Sequence, residues 1–265
     1  MEYEHLILET RGDALWVTMN RPERLNALNP RLVEELRDLF VGLYWRHEIR
    51  VVVLRGAGSN FCAGLDLKER GNGGGGGTSG GLIGQRRISE IVMAMRRCPQ
   101  PIIALVDGAA SGGGFAIALA SDVRIATPTL KMNAAFIRIG LSACDIGVSY
   151  FLPRMVGSSV AAELMLTGRF IHAERSLSLG LVSKVVDAAQ LDAEGQALAE
   201  EMLLTTPLGL RLTKECLNIS IDAAGLEAAI AMEDRNQILC AQGEDFREGV
   251  QAFLEKRPPV YGRKV

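Results

Sequence analysis

The chain is poor in the residues on which metal centres and disulfide-bonded scaffolds depend. Its 265 residues include three histidines and five cysteines, and no two cysteines form a C-x-x-C pair. An odd number of scattered cysteines argues against a disulfide framework, and the lack of a histidine or carboxylate cluster with ligand spacing argues against a metal site. We therefore predict that the protein holds no metal and works in a reducing compartment.

Long apolar runs and an excess of positive charge are also missing. No apolar stretch approaches the roughly 18 residues that span a bilayer, and the acidic amino terminus lacks a basic-then-apolar signal peptide. The formal net charge of -2 does not imply the broad basic surface that nonspecific nucleic-acid binding requires. We expect a cytoplasmic protein whose partners include neither membranes nor nucleic acid.

Strand-like and helix-like segments alternate along the first two thirds of the chain. Apolar composition predicts strands at three segments, 14–19, 51–54 and 102–106. One helix is predicted after Asn29, which can cap it, with Pro30 in the first turn, and a second fits Gln85 to Arg97. The hydrophobic share of 48% is large enough for one substantial core. This alternation predicts an α/β fold.

The last part of the chain is predicted to be helical. After residue 186 no convincing strand remains, and helices are predicted at four segments, 193–204, 207–220, 226–239 and 246–254. We therefore divide the chain into a core at residues 1–204 and a helical segment at residues 205–265. Helices that follow a completed α/β core often pack against another subunit.

Residues 71–81 (GNGGGGGTSGG) carry almost no side chains that packing could bury. Because packing cannot offset their backbone entropy, we expect a mobile loop. The loop is either a plain flexible insertion or a lid that orders over a substrate.

Two glycine-bearing turns, at residues 56–68 and 107–116, each follow a predicted buried strand. Small residues allow the backbone to approach a ligand closely and to turn its N–H groups towards it. The second turn also begins a helix, whose free N–H groups and dipole favour negative charge. The two turns are the strongest candidates for a functional site.

Several blocks of sequence resemble the enoyl-CoA hydratase/isomerase family, also called crotonases. The blocks come in the same order as in that family and extend over nearly the whole chain. They are 20–28 (NRPERLNAL), 61–67 (FCAGLDL), 107–122, 166–168 with 180–182, and the ending 253–258 (FLEKRP). The resemblance implies a crotonase-like spiral of ββα repeats with a C-terminal helical segment that assembles trimers or dimers of trimers. It also implies a coenzyme A thioester substrate. No separate cofactor is expected, because coenzyme A is part of that substrate.

By position in these motifs, the resemblance implies that the backbone N–H groups of Ala63 and Gly113 form an oxyanion hole. It further implies a channel for the coenzyme A thioester that includes Arg24, Leu25, Ala27, Gly64, Leu65, Asp66 and Leu67, with Lys256 approaching the nucleotide of a neighbouring subunit. Arg24 is either a phosphate contact or a solvated surface residue.

The sequence departs from the family at the two positions where hydratases carry glutamates. Those positions hold Ala116 and Phe136, and neither side chain can exchange a proton. Asp145 is the remaining acid nearby, and it resembles the proton-shuttling aspartate of the dienoyl-CoA isomerase branch. Asp145 is therefore either the proton carrier or a cap of the helix that follows it.

These observations lead us to expect an enzyme that hydrates an enoyl-CoA or shifts its double bond. A single carboxylate suits isomerisation better, because one base can remove a proton and return it. The alternative is a catalytically weak protein that binds coenzyme A thioesters without turnover. RNA binding would require a basic surface that the composition does not imply.

Overall fold

The structure, a computed structural model, describes residues 3–69 and 77–262. The strands within them are β1 (Leu6–Arg11), β2 (Ala14–Met19), β3 (Val51–Gly56), β4 (Ile102–Val106), β5 (Ala109–Ser111), β6 (Val123–Ala126), β7 (Lys131–Asn133), β8 (Ile171–His172) and β9 (Lys184–Val185). The three strands predicted from apolar composition are confirmed as β2, β3 and β4.

The α-helices are α1 (Pro30–Leu43), α2 (Gly77–Arg97), α3 (Gly113–Ala120), α4 (Val148–Val156), α5 (Ser158–Thr167), α6 (Ala173–Ser178), α7 (Leu191–Leu203), α8 (Pro207–Ser220), α9 (Leu226–Ala241) and α10 (Glu244–Glu255). Short 3-10 helices cover Pro22–Arg24, Ala135–Ile139 and Ala188–Gln190. No described helix has both the length and the apolar character that a membrane span requires.

Two sheets share the strands. The larger has the order β1-β2-β3-β4-β6-β9 and is parallel apart from the β1–β2 pair, and the smaller has the order β5-β7-β8. In the first repeat, β4 belongs to the larger sheet, β5 belongs to the smaller one, and α3 follows them in the chain. In the second repeat, β6, β7 and α4 take the same places. The expected ββα repeats are therefore confirmed.

The core lies around β2, β4 and α3, which are buried along their whole length. The sequence of α3, GGFAIALA, is apolar on every side, which is typical of a helix without a solvent face. In contrast, α1 is amphipathic. The side chain of Asn29 accepts a hydrogen bond from the N–H of Leu32, so Asn29 caps α1 as predicted.

The prediction of a mobile loop at residues 71–81 is wrong for residues 77–81. Residues 77–81 belong to the first turns of α2, eight residues before the predicted start of that helix at Gln85. Glycine weakens a helix by about 1 kcal/mol per residue relative to alanine, so local composition favoured a loop there. Residues 70–76, which hold most of the remaining glycine tract, lie outside the described residues.

The C-terminal helices differ from the core in their exposure. Helix α8 is fastened to the core by Lys214, whose Nζ lies 2.7 Å from the carbonyl oxygen of Gln100 and 2.9 Å from a carboxylate oxygen of Asp122. Helices α9 and α10 expose large apolar side chains, among them Leu226, Ile230, Ile238, Leu239, Phe246, Val250, Phe253 and Leu254. The division at residue 204 stays a prediction.

Candidate active site

Backbone pairing brings the two glycine-bearing turns side by side. After β3 the chain runs along β5, where the N–H of Cys62 donates to the carbonyl of Ala109 and the N–H of Ser111 donates to the carbonyl of Cys62. These hydrogen bonds are 2.9 and 3.0 Å long. The residues that follow Cys62 therefore lie next to the start of α3.

The prediction that Ala63 supplies an oxyanion donor is contradicted by its hydrogen bond. Its N–H donates to the carbonyl of Leu25 at 3.0 Å, so this N–H is already used within the fold. Leu25 has φ of 51°, and this left-handed backbone helps to turn its carbonyl towards Ala63. No local pattern predicts this contact between two separate motifs.

Two other amides in these turns are available. Within the described residues, neither the N–H of Leu65 nor that of Gly113 donates a hydrogen bond. The carbonyl of Gly64 accepts from the N–H of Leu28 at 2.7 Å, and in a trans peptide the N–H of Leu65 points the opposite way. Gly113 is the first residue of α3, where the helix leaves N–H groups without internal partners.

The close approach of the two turns depends on glycine. Gly64 has φ of 95°, and a Cβ atom there would lie 2.7 Å from the carbonyl oxygen of Ser111 and 3.4 Å from the nitrogen of Gly113. A Cβ atom on Gly113 would lie 2.8 Å from a methyl of Leu28. The backbone that carries the N–H of Leu65 therefore lies next to the N–H of Gly113. The free pair of donors is Leu65 and Gly113 rather than Ala63 and Gly113.

The surroundings of this donor pair are apolar. Ala116 is fully buried, and a Cβ atom on Gly112 would lie 3.5 Å from the ring of Phe136. Burial raises the pKa of the Cys62 thiol to about 12, so this thiol stays neutral and is a poor nucleophile. A low-polarity setting strengthens any hydrogen bond from the free amides to a developing negative charge.

Asp145 lies between α2 and the start of α3. Its Oδ1 accepts hydrogen bonds from the side-chain amide of Gln85 at 2.5 Å and from the N–H of Ile146 at 2.9 Å. The side chain of Ile146 reaches to 3.7 Å from the Cβ position of Gly113. Helix α4 is capped by Gly147 without a side-chain hydrogen bond, so Asp145 is not its side-chain cap.

A cavity of about 310 Å³ opens beside Leu65. Its walls come from α1, from the turn after β3 and from the glycine-rich start of α2, and the lining residues include Leu28, Val33, Leu65, Gly81, Gly84, Gln85 and Ile88. A Cβ atom on Gly81 or Gly84 would meet nothing within 4 Å. The wall therefore combines these apolar groups with polar side chains, those of Asn29, Glu34, Asp66, Gln85 and Arg87.

The predicted channel residues Arg24 and Asp66 are joined to each other. Arg24 donates to both carboxylate oxygens of Asp66, at 3.2 and 3.0 Å, and its side chain remains 29% exposed. Asp66 also receives a hydrogen bond from Arg21, a buried residue that the sequence prediction did not single out. Arg21 also donates to the carbonyl of Ala27 at 2.5 Å and so holds Ala27 next to this ion pair.

The other predicted residues are spread more widely. Leu25 and Leu67 are exposed, at 48% and 56%, next to this ion-pair network. Lys256 ends α10 and, in the part of the chain that the structure describes, its side chain makes no hydrogen bond or ion pair. Residues 3–69 and 77–262 contain no group of three or more histidine, cysteine, aspartate or glutamate residues placed to hold a metal ion.

Comparison with known proteins agrees with the fold and the two turns. The family model for enoyl-CoA hydratase/isomerase matches residues 9–264. "Probable enoyl-CoA hydratase echA12" of Mycobacterium bovis is 37% identical over 97% of this chain and 92% of that protein. The 1,2-epoxyphenylacetyl-CoA isomerase of Escherichia coli is 34% identical over 98% of this chain and 99% of that protein.

A solved structure supports the same assignment. The enoyl-CoA hydratase from Bacillus anthracis superposes with a TM-score of 0.93 at 31% identity, covering 98% of this chain and 100% of that one. The chain therefore belongs to the enoyl-CoA hydratase/isomerase family and is an enzyme of that family with the crotonase fold.

Proposed function

We propose that this enzyme shifts the double bond of an enoyl-CoA. In this proposal the N–H groups of Leu65 and Gly113 bind the thioester oxygen, and Asp145 carries the proton. The observation that carries the proposal is the pair of amides, Leu65 and Gly113, that donate no hydrogen bond within the described residues, together with the carboxylate of Asp145, which is bound by Gln85 in the wall of the neighbouring cavity. Members of the family act on acyl-CoA thioesters, which supports the substrate class.

The amides would act on charge that develops during the reaction. When a proton leaves the carbon next to the thioester carbonyl, its electron pair moves onto the carbonyl oxygen. Fixed N–H donors stabilise that charge without having to reorient, and losing one such donor costs about 2.7–4 kcal/mol in a well-studied protease. Leu65 and Gly113 fit this role because no acceptor among the described residues receives a hydrogen bond from either N–H.

The proton would travel through Asp145. Its carboxylate takes the proton from the carbon next to the carbonyl, and the resulting acid returns it to the far carbon of the dienolate, which restores the carbonyl and leaves a conjugated double bond. Ala116 and Phe136 supply no second acid or base for activating water, so isomerisation is favoured over hydration. The relatives include both a named acyl-CoA isomerase and named hydratases, so the choice rests on the residues of this chain.

The proposal is tested with a panel of 3-enoyl-CoA substrates and the variant Asp145→Asn. We expect turnover, followed as the absorbance of the conjugated thioester, to fall about 100-fold or more, which is the usual size of a general acid–base contribution. Asp187→Asn, which alters an exposed carboxylate before α7, is the matched control and should retain full activity.

Two outcomes would contradict the proposal. Unchanged turnover in Asp145→Asn would remove this residue from the mechanism. Thermal stabilisation of the unaltered protein by acyl-CoA, without turnover of any enoyl-CoA at high enzyme concentration, would instead support a thioester-binding protein that lacks catalysis.

We further propose that Arg24, Leu25, Ala27, Asp66 and Leu67 border the coenzyme A moiety. Arg24 fits a phosphate contact because its guanidinium is held by Asp66 and is still partly exposed. Lys256 is proposed to reach the nucleotide bound by a neighbouring subunit, since its ammonium makes no hydrogen bond or ion pair with residues 3–69 and 77–262 of its own chain. The absence of a separate cofactor and the cytoplasmic location stay predictions.

We propose that α9 and α10 pack against copies of the same chain in a trimer or a dimer of trimers. Their exposed side chains include Phe253 at 83% and Leu254 at 73%, and apolar area of this kind is stabilised by burial in an interface. Light scattering should give three or six times the chain mass of 28.6 kDa. The variant Phe253→Glu should lower that mass, whereas Leu166→Glu, at an equally exposed residue of α5, should not. A monomeric unaltered protein would overturn the assembly.

A further inference from the structure

We infer that Gln85 is a positioning residue that holds the carboxylate of Asp145 in place for proton transfer. This inference rests on the proposed function of Asp145. It starts from the hydrogen bond of 2.5 Å between the side-chain amide of Gln85 and Oδ1 of Asp145, which joins residues 60 positions apart in the sequence. Gln85 also lines the cavity beside Leu65, so the contact lies at the edge of the proposed acyl site.

The hydrogen bond fixes the rotation of the carboxylate because it acts together with a second one. The N–H of Ile146 donates to the same Oδ1 at 2.9 Å. Ile146 has φ of 35°, an unusual backbone conformation for a β-branched residue. Two donors from different parts of the fold therefore converge on one oxygen, and they restrict how the carboxylate can turn relative to the amide of Gly113.

One face of α2 contacts the turn from Asp145 to Gly147 through two of its residues. Gln85, Ile88 and Val92 are spaced by three and four residues and so lie on one side of the helix. Gln85 binds Asp145, and Ile88 lines the cavity. A methyl of Val92 lies 3.5 Å from the Cβ position of Gly147. The helix thus supports the turn from Asp145 to Gly147 along two turns of its length.

The position of Gln85 in the helix gives the contact added weight. The first eight residues of α2 include four glycines, at positions 77, 80, 81 and 84. Within the described residues, no side chain between positions 77 and 84 donates or accepts a hydrogen bond, whereas Gln85 binds Asp145. Gln85 is therefore the first side chain of α2 that can fix the glycine-rich turns relative to the proton carrier.

The experiment is a double-mutant cycle of Gln85→Leu and Asp145→Asn, measured with the enoyl-CoA that the panel identifies. Leucine keeps the approximate size of glutamine and removes the donor. A misplaced catalytic group can lose about 100-fold in rate, so we expect Gln85→Leu to lower kcat 10- to 100-fold with KM changed less than about twofold. In the Asp145→Asn background, Gln85→Leu should change kcat less than about twofold.

Arg86→Leu, at the exposed next residue of α2, is the control and should leave kcat unchanged. Gln85→Glu serves as a second variant, because it keeps the length of the side chain and places a carboxylate against Asp145; it should lower kcat at least as much as leucine. Circular dichroism and the Tm confirm that each variant is folded.

The outcomes separate the inference from the function on which it rests. Equal losses from Gln85→Leu with and without Asp145 would show a structural role and overturn the inference, as would full activity of both Gln85 variants. If Asp145→Asn itself retains turnover, the proposed mechanism fails first and the positioning role fails with it.

Discussion

Two turns near the start of α3 carry a carboxylate each, and the two carboxylates are held in different ways. Asp66, in the turn after β3, is 6% exposed and is paired with the guanidinium groups of Arg21 and Arg24. Asp145 is half-buried and accepts a hydrogen bond from the neutral amide of Gln85. A carboxylate between two permanent cations is fixed in its charged form, so Asp66 is suited to holding the turn and not to carrying protons.

The pKa of Asp66 agrees with this division. Burial by itself would raise the pKa of this carboxyl, but the N–H groups of Glu69 and Lys68 and the guanidinium of Arg24 lower it more, so the net pKa lies below its ordinary value. These N–H groups belong to the same turn that carries Leu65. Asp66 therefore helps to set the direction of the proposed oxyanion donor although it takes no part in proton transfer.

The sharpest way to break this comparison is to substitute amides for both acids. Asp66→Asn should lower the free energy of unfolding by about 3 kcal/mol, because it leaves the buried Arg21 without part of its neutralising charge. Asp145→Asn keeps an oxygen that can accept from Gln85 and should cost about 1 kcal/mol or less. Urea unfolding at neutral pH measures both values, and equal costs would show that the two acids are held alike.

The same pair predicts a difference in pH dependence. Because the folded-state pKa of Asp66 is depressed, its contribution is present above the unfolded-state pKa of about 3.9 and is lost as pH falls through the folded-state pKa. The stability gap between the unaltered protein and Asp66→Asn should therefore be constant from neutral pH to about pH 5 and shrink in stronger acid. A gap that persists at low pH would assign the effect to packing.

Local sequence patterns were enough to predict those helices whose ends are marked by capping residues or proline. Asn29 and Pro30 mark the start of α1, and helix α8 has the predicted bounds, Pro207–Ser220. Strand β8 has two residues and exists only because β7, about 40 residues earlier, pairs with it, so no local pattern could predict it. The glycine-rich start of α2 was missed for the opposite reason, because local composition disfavours the helix that the fold contains.

The position of the motifs in the sequence was enough to locate the candidate site, but it did not show which backbone N–H groups are free. The two turns and Gly113 were identified from the sequence, whereas the free N–H beside Gly113 belongs to Leu65, two residues after the predicted Ala63. Which amide is unused depends on the bond from Ala63 to the carbonyl of Leu25, a contact between separate motifs. Gln85 was placed on a helix, but its contact with Asp145 spans two segments that only the tertiary fold brings together.

A smaller loss of stability is expected at two glycines that form a matched pair, Gly64 in the turn after β3 and Gly140 at the end of the 3-10 helix Ala135–Ile139. Gly64 and Gly140 have φ of 95° and 83°, so alanine is strained at both, by about 1–2 kcal/mol. Only Gly64 has a neighbour in the way, since its Cβ would lie 2.7 Å from the carbonyl oxygen of Ser111, whereas nothing lies within 4 Å at Gly140. Gly64→Ala should therefore cost about 1 kcal/mol more than Gly140→Ala, as overpacking adds to strain.

Turnover separates the two glycine variants further. Moving the backbone of Gly64 shifts the N–H of Leu65 relative to that of Gly113, so Gly64→Ala should lose about 100-fold in kcat where it remains folded. Gly140→Ala leaves that pair in place and should keep kcat within about threefold, because nothing lies within 4 Å of its Cβ position. Urea unfolding and steady-state kinetics on the same preparations measure both differences. Equal losses of stability and of turnover in the two variants would mean that the backbone at Gly64 is no more closely packed than the backbone at Gly140.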